Sequence, residues 1–395
     1  MFGSIYIGLT GLNAYSRGLQ AVSNNVTNLN TSGFKGSTVS FQNFYGTGDD
    51  GGLSYTVDSH DSGNGVGMGD SMLNMKQGEL RQTDRDLDLA VDGTGFLVLM
   101  DGKDMLYTRT GSFEVDKEGY IVLSGTEYRL ATLDKSGRPV AVSIDASRTS
   151  APKQTSKVVF ADNLSSTTDD YTVSDVKVYD KSGGLHTWKI RFKRDTSIAG
   201  NNWKVAVVDD KNAVIGATAR LSFNPAGKVE ESTKTLSFTD ATNGFTVDFD
   251  FSGAVTSFSS GDVVSLRTAS VDGNAVGAVT TITVNATGEL ELGYSNEEKV
   301  KLGAVAIADF RDSQSLTQRS GGIFAYDGTG EHVYLASSDP RVGKVMSKRL
   351  EASNVDLSKE FGDLILIQRG FQAASQIVSV SNDMIQQLFG IRGQG

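Results

Sequence analysis

Apolar residues recur at helical spacing at both ends of the chain and at strand spacing between them. Near the start, Ile5, Leu9, Leu12, Tyr15, Leu19, Val22, Val26 and Leu29 follow steps of 4, 3, 3, 4, 3, 4 and 3. That is the rhythm of a coiled-coil seam with one irregular step. Ser4 is the expected N-cap, and the turn formers from Asn28 to Gly33 the expected stop. Near the end, Leu357, Phe361, Leu364, Ile367, Phe371, Ala374, Val378, Ser381, Ile385 and Leu388 open with the same seven steps. Ser353-Asn354-Val355-Asp356 supplies a start signal and Gly390 a stop. The two seams predict helices over 1–30 and 357–395 that pair with each other as a coiled coil.

The middle of the chain predicts strands and turns. Leu87, Leu89 and Val91 alternate with Asp86, Asp88 and Asp92, the pattern of a half-buried strand. Asp92-Gly93, Asp101-Gly102 and Glu118-Gly119 punctuate the short apolar runs that follow, which suggests successive hairpins. A second β-rich stretch starts near residue 151. It includes Val173–Tyr179, a turn at Asp180–Gly184 and Leu185–Phe192, and Phe245–Phe251 alternates cleanly. Residues 31–70 are rich in Gly, Ser and Asn with weak periodicity and read as an extended linker. The expected architecture is therefore mainly β with terminal helices. It has a β-rich core domain over 71–150 and 290–356, and a β-rich outer domain over 151–289, nested as insertions.

Charge sharpens this picture. In residues 1–36 the only charged side chains are Arg17 and Lys35, and between Leu364 and Gly395 they are Arg369, Asp383 and Arg392. A helix with one face in water normally carries charges there. These helices carry Ser, Thr, Asn and Gln instead, which predicts that both faces are covered, one by the partner helix and the other by further copies of the chain. The fifteen residues expected in that self-assembly seam are Ile5, Leu9, Leu12, Leu19, Val22, Val26, Leu29, Leu357, Phe361, Leu364, Ile367, Phe371, Val378, Ile385 and Leu388.

Whole-chain composition excludes several classes of function. With 37 basic and 47 acidic residues, a formal net charge of -10 argues against general nucleic-acid binding and adhesion to an anionic membrane. No stretch reaches the length of an apolar membrane span, and the first residues lack the pattern of a cleavable secretory signal. No cysteine is present, which removes disulfides, thiolate metal sites and a cysteine nucleophile.

Candidate catalytic chemistry is sparse. His60, His186 and His332 are far apart and in no ligand spacing. Asp84, Asp86 and Asp88 resemble part of a calcium loop, but Leu89 stands where that loop needs glycine. Gly63, Gly65, Gly67 and Gly69 lack the βαβ context of a dinucleotide site. The chain is expected to be no enzyme and to hold no cofactor or metal. A secreted β-rich carbohydrate-active or adhesive protein is the competing class, and the paired charge-poor helices argue against it.

Three blocks of sequence carry a family resemblance. Gly11-Leu12-Asn13-Ala14, Ser23 to Asn28 and Thr31-Ser32-Gly33-Phe34-Lys35 resemble the N-terminal signature of the flagellar rod and hook axial proteins. Leu350 to Leu357, followed by Gln368-Arg369-Gly370-Phe371-Gln372, resembles their C-terminal signature. Gly78-Glu79-Leu80, Leu87 to Phe96, Tyr107 to Phe113 and Gly119-Tyr120 resemble their core domain. Landmarks such as Asn163-Leu164, Val178 to Thr187 and Gly288-Glu289-Leu290 resemble the outer domain of the hook-type members, although Glu297-Glu298 stands where glycine is usual.

The resemblance implies a subunit of a hollow, flexible tube that joins rod to filament and transmits torque, with a distal rod protein as the alternative. It implies further copies of the chain as partner, with rod protein and hook–filament junction protein at the ends and a hook cap and the flagellar export apparatus during assembly. It also implies an extracellular place in the hook and basal body, reached by type III export without a cleaved signal. In that family the terminal helices line the inner tube, the core domain forms the middle shell and the inserted domain lies outside.

Overall fold

The computed structural model describes residues 2–43, 65–261, 263–328 and 330–392, with side chains described from residue 3 as far as residue 387 within the terminal helices. His60 and residues 44–64 of the expected linker lie outside the described residues. Among the described residues two helices, α1 (Phe2–Thr27) and α2 (Leu357–Arg392), bracket β-strands and short 3-10 turns. The chain divides into two compact units, the first made of residues 1–145, 282–291 and 301–395, the second of 146–281 and 292–300.

The helix boundaries differ from the expected ones. Ser4 lies inside α1 and does not cap it; its hydroxyl faces that of Ser381, 3.4 Å away. Asp356 caps α2, its Oδ1 accepting from the amides of Ser358 at 2.9 Å and Lys359 at 3.3 Å. Those amides have no partner inside the helix, so the carboxylate satisfies them and offsets the positive end of the helix dipole. Gly390 does not stop α2, which continues to Arg392.

The first unit is built on a 12-stranded sheet. Its central strand Phe96–Asp101 pairs antiparallel with Asp104–Thr108, Arg129–Leu133 and Ala306–Phe310. Both faces of that strand are buried: Leu97 and Leu99 enter one apolar core, Phe96 and Val98 another. The strand before it in sequence, Asp88–Asp92, is also covered on both sides, not half-buried, and Asp88 is only 3% exposed. It is an interior strand, between Thr110–Val115 and Lys344–Ser347. Within the expected linker, Ser37–Thr38 pairs with Met72–Leu73 and Phe41–Asn43 with Val66–Met68, so its described parts are short ribbons.

The second unit is a two-sheet sandwich around one core. One sheet runs Asp170–Tyr179, Leu185–Arg194, Asn201–Val208, Val214–Phe223; the other runs Thr235–Asp240, Phe245–Thr256, Lys157–Asn163, Arg267–Val271. Trp188 stacks on Phe245 with ring centroids 5.6 Å apart, and Phe160 on Phe251 at 4.6 Å. The expected turn at Asp180–Gly184 joins the first two strands of the first sheet.

Candidate functional site

The helices of the first unit pack antiparallel along a line of small residues. On α1 the buried positions are Gly8, Gly11, Ala14, Gly18, Val22 and Asn25; on α2 they are Glu360, Ile367, Ala374 and Ser381, spaced by seven. A Cβ placed on Gly8 would lie 2.7 Å from Val378 Cγ2, and one on Gly18 would lie 3.3 Å from Ile367 Cδ1. Any larger residue at Gly8 or Gly18 would press on the Val378 or Ile367 side chain packed against it.

That close approach decides where the fifteen expected seam residues lie. Val22 and Ile367 are buried in the contact, and Ile5, Leu12, Leu19, Val26, Leu29, Leu364, Val378 and Ile385 flank it half-buried. Leu29 sits in the turn after α1, which ends at Thr27. Leu9, Leu357, Phe361 and Phe371 are exposed. The side chain of Leu388 lies outside the described residues. Tyr6, Ile7, Ile365, Leu366, Ile377, Val380 and Met384, none of them among the fifteen, are exposed as well. The pair therefore joins through glycines and alanines together with Val22 and Ile367, and turns other large apolar side chains outward, a surface that marks an interaction site.

The root of the pair is held by polar groups. Asn25 donates from Nδ2 to Ser37 O at 2.9 Å and to Glu360 Oε2 at 3.1 Å, while its Oδ1 accepts from Ser37 N at 3.0 Å. Asn354 Oδ1 accepts from Gly36 N at 2.9 Å, and its Nδ2 donates to the carbonyls of Asn74 at 2.6 Å and Lys76 at 2.8 Å. The chain leaving α1 and the chain approaching α2 are thus tied to each other and to residues 74–76.

Beside these bonds lies a buried charge cluster. Lys35, Arg109 and Glu351 are 1%, 2% and 0% exposed. Lys35 Nζ donates to Glu351 Oε1 at 2.5 Å and to Lys76 O at 2.7 Å. Arg109 Nε donates to Glu351 Oε2 at 3.2 Å, and its other nitrogens donate to the carbonyls of Val91, Gly93 and Gly95. Burial pushes the Lys35 ammonium and the Arg109 guanidinium below their usual ranges, and Glu351 pulls both the other way. One carboxylate gripped by two cations, whose further donors go to carbonyl oxygens, is how a buried charge is tolerated.

Periodicity could not reveal this cluster. Its one trace in the sequence is Lys35, one of two charges in the first 36 residues. The other polar candidates have structural partners. His186 pairs with Asp180 at 3.0 Å, His332 packs against Phe310, Tyr326 and Tyr334, and Asp86 pairs with Lys348 at 3.0 Å. Among the described residues no group of His, Cys, Asp and Glu is arranged to hold a metal ion.

Four family models match the chain. They are flagella basal body rod protein over 5–35, flagellar hook protein FlgE/F/G D1 domain over 90–161, flagellar basal body protein FlaE D2 domain over 143–326, and flagellar basal body rod FlgEFG protein C-terminal over 346–391. Lys35, Arg109 and Glu351 fall in the first, second and last of these. Together they define a structural protein of the flagellar basal body and hook.

Full-length relatives narrow the class. The flagellar hook protein FlgE of Salmonella typhimurium is 27% identical over 97% of this chain and 98% of its own length. That of Borreliella burgdorferi is 26% identical over 99% and 100%. The crystal structure of Helicobacter pylori flagellar hook protein FlgE2 covers 69% of this chain and 99% of its own at 13% identity, with a TM-score of 0.48, too slight a likeness to carry the assignment. The chain belongs to the flagellar hook protein family.

Proposed function

We propose that this chain builds the hollow, flexible hook by polymerising through its terminal helix pair. The observation that carries this reading is the outward apolar surface of that pair. Leu366 is 67% exposed, Phe361 50% and Leu9 51%, on helices with few charges to solvate them. A lone chain gains nothing from such a surface in water, whereas neighbouring copies covering it remove apolar area from solvent.

In this reading the two helices form a coiled-coil-like inner layer, with Gly8, Gly11, Ala14 and Gly18 setting their spacing. The sheet of the first unit makes the surrounding core domain and the sandwich of the second the outer domain. Rod protein and junction protein meet the two ends of the tube. The cap and the export apparatus act during assembly, which occurs outside the cell after export without a cleaved signal. The distal-rod alternative is the weaker one, because the full-length relatives are hook proteins. Electron microscopy of purified protein at rising concentration tests the proposal. Hollow tubes are the expected product, and a chain that stays monomeric under every condition that preserves its fold would sink it.

A further inference from the structure

Lys35, Arg109 and Glu351 lie in three stretches of chain that meet at one buried carboxylate, beside a bond from Glu351 N to the Thr110 hydroxyl at 3.0 Å. Lys35 follows α1, Arg109 lies between strands Asp104–Thr108 and Thr110–Val115 of the sheet, and Glu351 ends the strand Arg349–Glu351 just ahead of α2. The two oxygens of that carboxylate are divided between them. Oε1 accepts from Lys35 Nζ at 2.5 Å and from the Gly78 amide at 2.9 Å, while Oε2 accepts from Arg109 Nε at 3.2 Å. Arg109 cannot follow the carboxylate if it moves, because its fork is pinned to the carbonyls of Val91, Gly93 and Gly95 and its guanidinium lies 5.4 Å from the Phe96 ring centroid. The backbone of the same strand adds Gly33 N to Glu351 O at 2.8 Å and Ala352 N to Glu79 O at 2.8 Å.

We propose that Glu351, gripped by Lys35 on one side and Arg109 on the other, is an ionic clasp that fixes the orientation of the helix-pair root on the sheet of its own unit, making the three positioning residues for polymerisation. Apolar side chains of similar volume would fill the same space with little loss of stability, but they would accept a range of geometries. A fork bonded to fixed carbonyls and to one carboxylate oxygen accepts one. The division of the carboxylate also gives the clasp a direction of failure. Removing the Lys35 charge leaves Oε1 with the Gly78 amide alone and weakens the hold on residues 33–36 and 78–79, while Oε2 stays on Arg109.

The inference rests on the self-assembly reading for its purpose, and the test separates the two. Hydrogen exchange on the full chain compares wild type, Lys35→Met and the triple variant Lys35→Met/Arg109→Met/Glu351→Leu, and sedimentation of tubes gives the protein concentration each needs to polymerise. In Lys35→Met, exchange over 33–36 and 78–79 should rise about tenfold or more while 96–101 keeps the wild-type rate. Its tubes should need about tenfold more protein. The triple variant should recover protection but not the wild-type tube threshold. Unchanged exchange in Lys35→Met, or faster exchange that includes 96–101, overturns the clasp. So does a triple variant that assembles like wild type, or one whose sheet fails to fold, since the cluster would then be a folding determinant and not a joint. If wild type itself forms no tubes, the self-assembly reading falls, and the exchange measurement still decides the clasp.

Discussion

Lys35 Nζ lies 2.5 Å from Glu351 Oε1 although 316 positions separate the two residues. The contact closes the first unit on itself, since Lys35 lies in the segment that leaves α1 after Thr27 and Glu351 in the one that leads to α2 at Leu357. The helices start their antiparallel course from this one buried point, with Asn25 and Glu360 forming the next contact outward at 3.1 Å. Order at the root and order in the helix pair are therefore linked through one short stretch of chain at each end.

The spacing of the pair is open to a direct test at its glycines. Gly8→Leu places a side chain where Val378 Cγ2 already stands 2.7 Å from the Cβ position. Such overpacking costs about 1–3 kcal/mol and should force the helices apart, raising the concentration needed for tubes. Gly362 has nothing within 4 Å of its Cβ position, so Gly362→Ala should stabilise α2 by up to ~1 kcal/mol. Gly370 separates the two effects, because its Cβ position lies 2.4 Å from the Tyr15 ring. If Gly370→Ala behaves like Gly362→Ala in helical circular dichroism and in assembly, the pair is not packed at this distance.

The period of both helices was legible in the sequence, but the line of contact between them was not. Hydrophobic periodicity registers leucines and phenylalanines, and here the tightest contact is made by residues without such side chains. Leu9 and Phe361 sit one position off the lines of Gly8 and Glu360, at helical spacing and exposed. The strand around Asp88 misled for a different reason. Its aspartates alternate as if toward water, yet pairing on both edges and packing on both faces bury Asp88. The Lys35–Glu351 pair was beyond any local pattern, since it depends on a sheet that brings distant segments together.

Two adjacent residues of α2 should fail in different ways. Ile367 is 5% exposed and faces Gly18, while Leu366 is 67% exposed. Ile367→Asp buries an unpaired charge between the helices, at a cost of about 3 kcal/mol or more, and should weaken both the pair and the tube. Leu366→Asp should leave the helical signal of the monomer unchanged and still block polymerisation, because only a neighbouring copy would bury it. Normal tubes from Leu366→Asp would mean that the outward apolar face is not the assembly surface.

Acid should loosen the sandwich through carboxylates that are held ionised in the folded chain. The Ser197 hydroxyl and Lys204 hold the Asp195 carboxyl at about 2, below its ordinary 3.8, and Lys157 and Ser252 hold Asp250 low against the opposing effect of burial. Because the folded value lies below the unfolded one, the stabilisation is complete above the ordinary value and is lost as the pH falls toward the folded value. The window is therefore from about pH 4 down to about pH 2 for Asp195. Both tryptophans of the chain, Trp188 and Trp203, lie in the sandwich core, so indole fluorescence reports this unit alone. Its thermal midpoint should drop across that window, and Asp195→Asn should flatten the drop while lowering the midpoint near neutrality. A profile unchanged by Asp195→Asn would remove this residue from the account.

The second unit should be separable from the first at a defined pair of residues. Ser150 pairs with Gly277, and Thr149 with Ala278, in antiparallel register, so the chain enters and leaves the sandwich on neighbouring strands. Excising residues 151–276 and joining Ser150 to Gly277 by a two-residue Asn-Gly turn would close these strands as an ordinary hairpin. The cut removes the whole sandwich core, whose buried members run from Val158 to Leu266. It removes no member of the two cores of the first unit, which draw on residues up to Leu130 and Ala131 and again from Val284 onward. A cut ending at 289 would instead take Val284 out of the first unit's core. The shortened chain should therefore retain its remaining β signal with a midpoint near that of the parent, while its indole fluorescence is lost. It should still form tubes, because the helix pair and its root are intact, but tubes of altered curvature or stiffness where contacts between outer domains are missing. Electron microscopy of the tubes, with the midpoint measured on the same preparation, decides the matter. A folded shortened chain that makes no tubes would place an assembly determinant in residues 151–276 and take the helix pair out of its role as the sufficient one.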